Sequence, residues 1–417
     1  MVGANPQPEM PVATGCKTTL TIVMALENNL YPQDPRVRKE AEELATDGHD
    51  VIVLAPRGAG QTKQATVNGV SVKRYGLPRT GGAAGIAIEY LVALVQLTRH
   101  LISELLRGAD VVHLHNPPDL FFPVGGFARA LGRTVIFDHH DLTPELFEQK
   151  FGGGGRRASI LRWCERMTMR VASVVISANE SHRLIAIQRG RVDPERVVVV
   201  RNAPPAATLA DEAVTRKGAL TSPRLCYVGS LNCQDGVRVL PEILRRLCDA
   251  GLNPTLSLVG DGPEVSTIKR LAEEQAVLER IEFTGWVSHE QVPRIIEQAD
   301  ICLDVAPCTS LNHRSTMIKI GEYMAAARPI VTFDLQESRC TAGDCALYVA
   351  CDDIEGYCAS IVRLCADEQL RATMSAGALE RVGDMTWEHS AEYLRRAYAI
   401  ACGPTSAEAA MVAAVGV

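Results

Sequence analysis

The chain has 417 residues, of which 47% are hydrophobic and 22% charged, and this length is sufficient for two domains that each bury a core. A formal net charge of −6 gives no basis for a nucleic-acid partner. Thirteen cysteines occur without a C-x-x-C spacing, most of them in apolar segments, so we expect reduced core cysteines rather than a disulfide framework or a zinc site.

Both ends of the chain are expected to be disordered, because residues 1–17 and 403–417 are small and polar. The first of these segments lacks the cationic start and the apolar run of a signal peptide. The most apolar helical window, residues 85–106, is interrupted by two glutamates, an arginine and a histidine. It therefore predicts a packed amphipathic helix rather than a membrane span.

The first half of the chain alternates strand-like and helical segments. Residues 19–26 and 49–56 predict strands, and residues 34–48 predict the helix between them, with Asp34 as its N-cap and Gly48 at its end. Further β-rich segments separated by helices are residues 109–115, 133–141 and 172–179. Such alternation predicts a parallel sheet covered by helices on both faces.

The alternation restarts after a polar stretch. Its strands are expected in RLCYVGS, TLSLVGDG, RIEFTGWV, DICLDVAP and PIVTFD, with helices at residues 236–250, 263–277 and 289–298 and one more before PIVTFD. The sequence therefore predicts an α/β protein with two doubly wound, Rossmann-like domains at residues 18–204 and 223–385, joined by a linker at 205–222. A final helix at 386–402 has no strand after it and is expected to pack back on the N-terminal domain.

Ligands of doubly wound sheets bind at the carboxyl ends of the strands, so two such domains are expected to face each other across a cleft that holds two substrates. The G-x-G-x-x-G fingerprint and the P-loop pattern are both absent, which argues against a nicotinamide or flavin cofactor. The polar residues at the predicted strand ends are therefore the candidates for function.

Residues 315–331, STMIKIGEYMAAARPIV, predict a helix with polar groups near its start. Ser315 or Thr316 is expected to cap this helix, which leaves backbone N–H groups available at the positive end of the helix dipole. Lys319 in the first turn and Glu322 one turn later could bind a diphosphate and the paired hydroxyls of a ribose. The alternative is a surface Lys–Glu pair worth about 0.3 kcal/mol.

Two further polar clusters close predicted strands. In HLHNPPDLF (113–121), His113 and His115 alternate with apolar residues, and one of them is expected to point into the core and the other toward the cleft. In FDHHDLTPEL (137–146), carboxylates and histidines could bind or deprotonate sugar hydroxyls. A metal site is not favoured there, because no spacing places three ligands on one face.

Cations occupy two other predicted helices. Arg36 and Arg38 lie in the first turn of the helix at 34–48, against the preference of the helix dipole, so they form either a solvated charge run or an anion contact. Five arginines surround Trp163 in residues 156–170. That pattern indicates either a plain surface helix or a weak peripheral contact with an anionic membrane.

With these residues assembled, the chain resembles the retaining glycosyltransferases of family 4 over about residues 18–402. The resemblance is carried by DPRVRKEAEELATDGHDVIVLAP, ADVVHLHNPPDLF, VIFDHHDLTPE, YVGSLNCQDGV, LVGDGPE, IEFTGWV and SLNHRSTMIKIGEYMAAARPIV, and by the order and spacing of these segments. It implies the GT-B architecture of two Rossmann-like domains facing across a cleft. It also implies a nucleoside-diphosphate sugar as co-substrate, with no metal and no other cofactor.

The resemblance also implies a set of site residues. The expected catalytic residues are His115, His140, Asp141, Lys319 and Glu322. The donor site would add Gly229, Ser230, Gly260, Gly262, Gly285, Trp286, Val287, Arg314, Ser315, Thr316 and Met317. The acceptor side would comprise Arg36, Arg38, Asn116, Asp138, His139 and Glu145. In the donor site, Glu322 would hold the ribose, Lys319 the diphosphate, and residues 285–287 would flank the nucleobase.

The sequence departs from the family pattern at three positions. Arg314 stands in place of the first glutamate of the usual Glu-x7-Glu, Ser230 in place of an arginine, and Asp235 in place of a lysine. Two cations that would stabilise the leaving diphosphate are therefore missing. We expect Arg314, Lys319 or an arginine of the first helix to replace their charge.

These observations predict a metal-independent retaining glycosyltransferase that moves a sugar from a UDP or GDP sugar to a hydroxyl of a glycan, a lipid-linked glycan or a small natural product. A nucleotide-sugar 2-epimerase and a non-catalytic nucleotide-sugar-binding protein are the alternatives. We expect a cytoplasmic location, with at most peripheral contact at the inner membrane face. The sugar, the acceptor and the oligomeric state are left open by the sequence.

Overall fold

The computed structural model describes residues 19–78, 82–151, 155–288 and 290–403. The predicted tails at 1–17 and beyond Gly403 lie outside the described residues. The chain divides into two compact units, Met1–Val200 with Ala391–Val417 and Arg201–Ser390, which we call unit 1 and unit 2. Each unit is built on its own sheet.

Unit 1 contains an eight-stranded sheet with the strand order β3-β4-β2-β1-β5-β6-β7-β8. Its strands are β1 Thr21–Ala25, β2 Asp50–Pro56, β3 Gln64–Val67, β4 Val70–Tyr75, β5 Val111–His115, β6 Thr134–His139, β7 Val174–Ser177 and β8 Val197–Val199. Its helices are α1 Pro35–Thr46, α2 Gly82–Leu106, α3 Phe122–Ala130, α4 Thr143–Phe151, α5 Arg156–Val171 and α6 Glu180–Gln188. All neighbouring strands are parallel except the pair β3 and β4, which is antiparallel.

The antiparallel edge pair was missed by the sequence analysis. Asn68 and Gly69 join β3 to β4, and both have positive φ angles, of 47° and 82°. A two-residue turn of this kind is the strongest local signal of a hairpin, and it was present as Asn-Gly between two β-rich segments. By contrast, the start of α1 is as predicted, because the side chain of Asp34 accepts hydrogen bonds from the first backbone N–H groups of the helix.

The core of unit 1 lies between the sheet and its helices. Apolar residues of the central strands, such as Val23, Val112 and Phe137, pack against Leu97 and Leu101 of α2. The predicted helical window at 85–106 is therefore a packed helix. Among the described residues, no helix combines the length and the apolarity that crossing a bilayer requires.

Unit 2 contains a six-stranded, fully parallel sheet with the order β11-β10-β9-β12-β13-β14. Its strands are β9 Arg224–Val228, β10 Thr255–Val259, β11 Ile281–Gly285, β12 Ile301–Asp304, β13 Ile330–Phe333 and β14 Ala346–Val349. Its helices are α7 Leu240–Asp249, α8 Val265–Glu274, α9 Val292–Glu297, α10 Ile318–Ala325, α11 Gln336–Ala342, α12 Ile354–Ala366 and α13 Glu368–Gly383. Helix α14, Trp387–Cys402, begins in unit 2 and continues into unit 1 from Ala391.

The sheet of unit 2 separates two apolar cores. Leu225 and Tyr227 of β9 point into one core with α7 and α12, while Cys226 and Val228 point into the other with α10. This alternation follows from the two-residue period of a strand. The two doubly wound parallel sheets confirm the predicted fold class.

The prediction that all cysteines are reduced is wrong for one pair. Cys308, after β12, and Cys351, after β14, form a disulfide that closes 43 residues. The two cysteines follow different strands, so only the tertiary structure brings them together. Cys226 and Cys302 are buried thiols in the apolar core, as expected.

Candidate active site

In unit 1, the ends of β5 and β6 bring together three of the predicted polar residues. The strands are in register with His115 opposite Asp138, and His115 Nδ1 lies 3.1 Å from Asp138 Oδ2. Arg36 reaches the same carboxylate from the first turn of α1 and donates to both of its oxygens, at 2.6 and 2.7 Å. Arg36 is buried, so the interpretation as a solvated charge run is wrong for this residue.

The loop after β6 adds His140 to this cluster. Its Nδ1 lies 3.0 Å from Asp138 Oδ2, and its backbone N–H donates to the Asn116 side-chain oxygen. Asn116 also accepts from the backbone N–H of Asp141 and donates to the Asp141 carbonyl at 2.7 Å. The buried Asn116 amide therefore fixes the backbone on which His140 and Asp141 are presented.

His140 is the most accessible member of this cluster. Its side chain is 11% exposed, compared with 4% for Arg36 and 0% for His115 and Asp138. Burial alone would lower the pKa of His140, but Asp138 and Asp141 outweigh it and raise that pKa to about 9. The pKa of His115 is lowered by burial. The site therefore presents an imidazolium at neutral pH, with a neutral histidine behind it.

The structure corrects the expected orientation of the two histidines of β5. His113 and His115 are both fully buried, and their ring centroids are 4.3 Å apart. Side chains two residues apart in a strand lie on the same face, which the prediction of opposite directions overlooked. His113 Nδ1 lies 3.0 Å from the hydroxyl of Tyr398 in α14.

Glu40 completes the cluster and was missed by the sequence analysis. It is fully buried, with Oε1 3.3 Å from Arg36 Nε and Oε2 3.8 Å from His113 Nε2. Burial, reinforced by Asp138, raises the pKa of Glu40 to about 8. A signal was available, because Glu40 lies in the core-facing stripe of α1 with Val37, Ala41 and Leu44.

Among the residues that the structure describes, two groups of side chains have donor atoms close enough to be considered as metal sites. Glu40, His113, His115 and Asp138 form one group, and Cys308, His313 and Cys351 form the other. In the first group, Arg36 already places a cation against both carboxyl groups. In the second, the two sulfur atoms are joined to each other and offer no thiolate. Neither arrangement suits a cation.

Three predicted acceptor residues do not join the cluster. His139 Nε2 lies 3.0 Å from Glu165, and Arg189 donates to both Glu165 and Glu145. His139 and Glu145 therefore belong to a second buried network, because successive residues of β6 point to opposite faces. Arg38 is half-buried, near Tyr31.

A further carboxyl group lies at the end of β1. Glu27 is buried, and burial together with the neighbouring Glu89 raises the pKa of Glu27 to about 7. Its position beyond the carboxyl end of a central strand was sufficient to make it a candidate in the sequence. It was overlooked because the loop that follows has no recognisable motif.

In unit 2, Lys319 is buried beside the end of β9. Its ammonium donates to the Tyr227 hydroxyl at 2.9 Å and lies 3.5 Å from Asp304 Oδ1. Burial alone would lower the pKa of Lys319. Tyr227, Asp304 and Asp235 outweigh burial and raise it. The interpretation of Lys319 as half of a surface ion pair is therefore wrong.

Gly229 allows the backbone to approach this lysine closely, and Gly260 packs against Gly229. A Cβ on Gly229, whose φ is +148°, would lie 3.3 Å from Lys319 Nζ. Gly260, with a φ of +132°, lies so close to Gly229 that a Cβ on it would overlap the Gly229 carbonyl oxygen. Both positions therefore require glycine.

The other loops of the predicted donor site lie at the same edge of the sheet. Gly262 follows β10 and packs on the backbone of Leu231, and the Gly285 carbonyl accepts from Gly260 N–H at 3.1 Å. Trp286 is 72% exposed, whereas Val287 packs on the apolar core next to α10.

The start of α10 differs from the prediction. The N-cap residue is Met317, whose side chain makes no capping hydrogen bond, and the Ser315 hydroxyl donates to the Leu311 carbonyl at 2.9 Å. Ser315 and Thr316 lie before the helix, because turns at residues 311–314 delay its beginning. The predicted cap is therefore wrong, although Lys319 remains in the first turn.

A tyrosine that the sequence analysis missed attaches α10 to the sheet. The Tyr323 hydroxyl accepts from Val228 N–H at 2.9 Å and donates to the Leu303 carbonyl at 3.1 Å. Helix α10 is thereby fixed against β9 and β12. Glu322 in this helix and Arg314 before it are half-buried, and Ser230 is exposed.

Asp235, which stands in place of a cation, lies near Lys319. Burial raises the pKa of Asp235, whereas Lys319 acts in the opposite direction. The following residue, Gly236, packs on the backbone of Val305 at the end of β12. The charge of Lys319 is thus shared between two acidic neighbours, Asp235 and Asp304.

Two models of glycosyltransferase domains match this chain. Residues 33–203 match the model of the glycosyl transferase 4-like domain, and residues 222–367 match the model of the glycosyl transferases group 1. Together the two models cover more than half of the chain.

Two relatives align over most of their length. The chain is 26% identical to 2-deoxystreptamine N-acetyl-D-glucosaminyltransferase of Streptomyces fradiae, over 88% of this chain and 91% of the relative. It is also 26% identical to phosphatidyl-myo-inositol mannosyltransferase of Mycolicibacterium smegmatis, over 87% of this chain and 88% of the relative.

The fold is also found in solved structures. Sucrose-phosphate synthase from Thermosynechococcus elongatus superposes with a TM-score of 0.71 at 17% identity, over 92% of this chain and 98% of that chain. At this identity the likeness concerns the fold alone. Taken with the two domain models, these findings show that the chain belongs to the family 4 glycosyltransferases and has their GT-B fold.

Proposed function

We propose that this enzyme transfers a sugar, with retention of anomeric configuration, from a UDP or GDP sugar to a hydroxyl group, without a metal. Unit 2 would bind the donor and unit 1 the acceptor. The names of the two relatives give 2-deoxystreptamine and phosphatidyl-myo-inositol as acceptors, so small natural products and lipid-linked acceptors both belong to the proposed range.

The observation that carries the donor site is the approach of Lys319 to Gly229. A buried ammonium lies against a side-chain-free backbone at the carboxyl end of a parallel strand, where α/β sheets bind their ligands. A diphosphate placed there would contact the cation and the backbone together. Glu322, one turn further along α10, would hold the ribose.

The replacement of a usual lysine by Asp235 is compatible with this role. Burial already raises the pKa of the Asp235 carboxyl. An approaching diphosphate would raise it further, because a second negative charge favours the neutral form. Asp235 would then donate a hydrogen bond to the leaving group, and Arg314 would supply additional positive charge from the loop before α10.

In unit 1, the accessible His140 would contact the acceptor or the transferred sugar. Because His140 is protonated at neutral pH, it would donate a hydrogen bond rather than act as a general base. The proton of the acceptor hydroxyl would then move to an oxygen of the departing diphosphate. Arg36 and His115 would hold Asp138, and through it the orientation of His140.

The donor site is tested by thermal shift with UDP, GDP, ADP and dTDP. A ligand at 100 times its dissociation constant stabilises the folded state by about 2.7 kcal/mol. We expect one nucleotide to stabilise the wild type and the exposed control Lys217→Ala, but not Lys319→Ala. Equal stabilisation of Lys319→Ala would remove Lys319 from the donor site.

The reaction is tested by incubating the matching nucleotide sugar with 2-deoxystreptamine or phosphatidyl-myo-inositol as acceptor. Nucleotide release that depends on acceptor distinguishes transfer from epimerisation and from binding alone. Proton NMR of the product reports the anomeric configuration, and inversion would contradict retention. Unchanged turnover in the presence of a chelator is expected if no metal takes part.

We also propose the weak membrane contact and the location at the inner membrane face. Helix α5 exposes Ile160 and Trp163, with arginines on the same helix. This composition suits an anionic interface. Sedimentation with phosphatidylglycerol vesicles should decrease in Trp163→Ala, and an equal sedimentation of the two proteins would contradict the contact.

A further inference from the structure

A basic cavity lies at the β3–β4 edge of the sheet of unit 1. It has a volume of about 490 Å³ and is lined by residues of β4, the β3 segment, the loop after β2 and the C-terminal half of α2. In the sheet order, β2 and β1 separate β4 from β5. The cavity is therefore distinct from the proposed acceptor site, and its size is in the range of small-molecule sites.

The lining of this cavity is strongly cationic. Its basic residues are Arg57, Lys63, Lys73, Arg74, Arg99 and Arg107. Glu104 is the one acidic residue of the lining, and it pairs with Lys73 and Arg107. Four cations thus remain without a carboxylate of the lining, in a chain whose net charge is −6.

Arg74 shows that the excess charge is built into the fold. Its side chain is 8% exposed, and within the described part of the chain its two terminal nitrogens donate to the backbone carbonyls of Thr62 and Tyr31, at 3.3 Å each. Its Nε has no hydrogen-bond partner among the described residues. A buried guanidinium without a carboxylate is costly unless an anion compensates its charge.

The cations of the lining also lower the pKa of a neighbouring histidine. The pKa of His100 is lowered first by burial and then by Arg99, Lys73 and Arg107, against the opposite effect of Glu104. The neutral His100 could accept or donate one hydrogen bond to a ligand without adding charge. The lining therefore combines several cations with neutral polar groups.

We propose that this cavity binds a molecule that carries two or more phosphate, sulfate or carboxylate groups. A single small anion would leave most of the four uncompensated cations unpaired, whereas a diphosphate or a phosphorylated sugar matches their number and the volume. The site lies in unit 1, so it is additional to the donor site proposed in unit 2. It would serve a phosphorylated acceptor or an anionic effector.

The test is calorimetric titration of inorganic pyrophosphate into the full chain. Pyrophosphate is also a ligand for the proposed donor site, so the titration is repeated in Lys319→Ala. The pocket variant is Arg57→Ala/Lys63→Ala/Arg99→Ala, and these three side chains are exposed, so their removal should leave the fold intact. The control is Arg156→Ala/Arg157→Ala/Arg170→Ala in α5, which changes the net charge equally.

We expect pyrophosphate binding that persists in Lys319→Ala and is weakened about tenfold or more in the pocket variant, but not in the control. Added salt should also weaken pyrophosphate binding, because salt screens the attraction between the exposed cations and the anion. Binding that disappears completely in Lys319→Ala, equal weakening in the pocket and control variants, or no binding at all would overturn the proposal.

Vesicle flotation identifies the source of the anion. Loss of flotation on phosphatidylglycerol vesicles in the pocket variant, with phosphatidylcholine vesicles as reference, would assign the ligand to a lipid headgroup. Unchanged flotation together with weakened pyrophosphate binding would assign it to a soluble molecule. Both results support the site. Flotation of the α5 control variant measures the membrane contact proposed for α5, so this contact can be distinguished from binding in the cavity.

Discussion

Arg36 and Asp138 form a buried, two-pronged ion pair between the first turn of α1 and the end of β6. The helix dipole disfavours a cation at this position of α1. The guanidinium is stabilised there by the carboxylate and by the Val200 carbonyl, which it contacts at 2.9 Å. The pair therefore joins three segments of unit 1 at the point where His115 and His140 are oriented.

Replacing Arg36 by alanine should strongly destabilise the protein. The change leaves the Asp138 carboxylate buried without its cation, and the expected loss in the free energy of unfolding is about 3–5 kcal/mol. Arg38→Ala, on the same helix, should cost less than about 1 kcal/mol. Urea denaturation measures both, and similar losses in the two variants would show that the ion pair is not the cause.

The protonation of His140 predicts a pH-dependent contribution to stability. The pKa of His140 is raised from 6.5 to about 9 in the folded state, so its stabilising effect is complete below pH 6.5 and is lost as the pH rises through 9. The difference in unfolding free energy between wild type and His140→Gln should therefore fall by up to about 3 kcal/mol over this interval. A difference that does not change with pH would show that His140 is not an imidazolium.

Glu40 makes a separate contribution in which ionisation is unfavourable. Its pKa is raised from 4.5 to about 8 in the folded state. Because Glu40 then ionises more readily in the unfolded chain, wild type loses stability as the pH rises from 4.5 through 8. Glu40→Gln avoids this cost and should gain about 3–4 kcal/mol relative to wild type as the pH rises from 5 to 8. Glu42→Gln on the same helix controls for net charge. A loss of stability in Glu40→Gln at pH 8 would indicate that the carboxylate form is needed.

The attachment of α10 to the sheet depends on the Tyr323 hydroxyl. Tyr323→Phe leaves Val228 N–H without its acceptor and should lower stability by about 1–3 kcal/mol. It should also weaken nucleotide binding, because α10 carries Lys319. Tyr357→Phe, in which a buried tyrosine of α12 loses its bonds to the Val331 and Asp304 carbonyls, should lower stability but affect nucleotide affinity less than Tyr323→Phe does. Equal nucleotide affinities in both variants would show that the attachment of α10 to the sheet does not contribute to nucleotide binding.

The disulfide between Cys308 and Cys351 should be a measurable source of stability. A closed loop of 43 residues corresponds to about 4 kcal/mol in the chain-entropy description. The double variant Cys308→Ser/Cys351→Ser should lose about this amount under oxidising conditions, and reductant should destabilise wild type but not the variant. Cys233→Ser, at an exposed thiol, is the control. If reductant leaves the wild-type stability unchanged, the bond is absent in solution.

Most of the fold was predictable because it depends on local patterns. The β-rich segments and the helices between them gave two parallel sheets, and the Asp34 cap fixed the beginning of α1. The antiparallel β3–β4 pair was missed although its Asn-Gly turn was visible. The start of α10 was placed too early, because a hydroxyl before a helix satisfies the pattern of a cap but can donate elsewhere, as Ser315 does.

The types of residue in the candidate site were predictable, but the contacts between their side chains were not. The strand-end residues His115, Asp138 and His140 were expected, and the structure brings them together. Glu40 and Tyr323 were missed, because on helices they resemble an ordinary surface carboxylate and an ordinary core aromatic. Their contacts with distant strands, and not their neighbours in the chain, make them part of the sites.

The sequence by itself determined the fold class and the strand ends at which polar residues collect, because periodicity and turn chemistry act over a few residues. Only the tertiary structure decided which charges are compensated. It paired Arg36 with Asp138 and set Lys319 between two acidic neighbours. It also joined Cys308 to Cys351 and gathered six basic side chains around the cavity of unit 1. Burial and distance control each of these outcomes, and both arise when remote segments fold together.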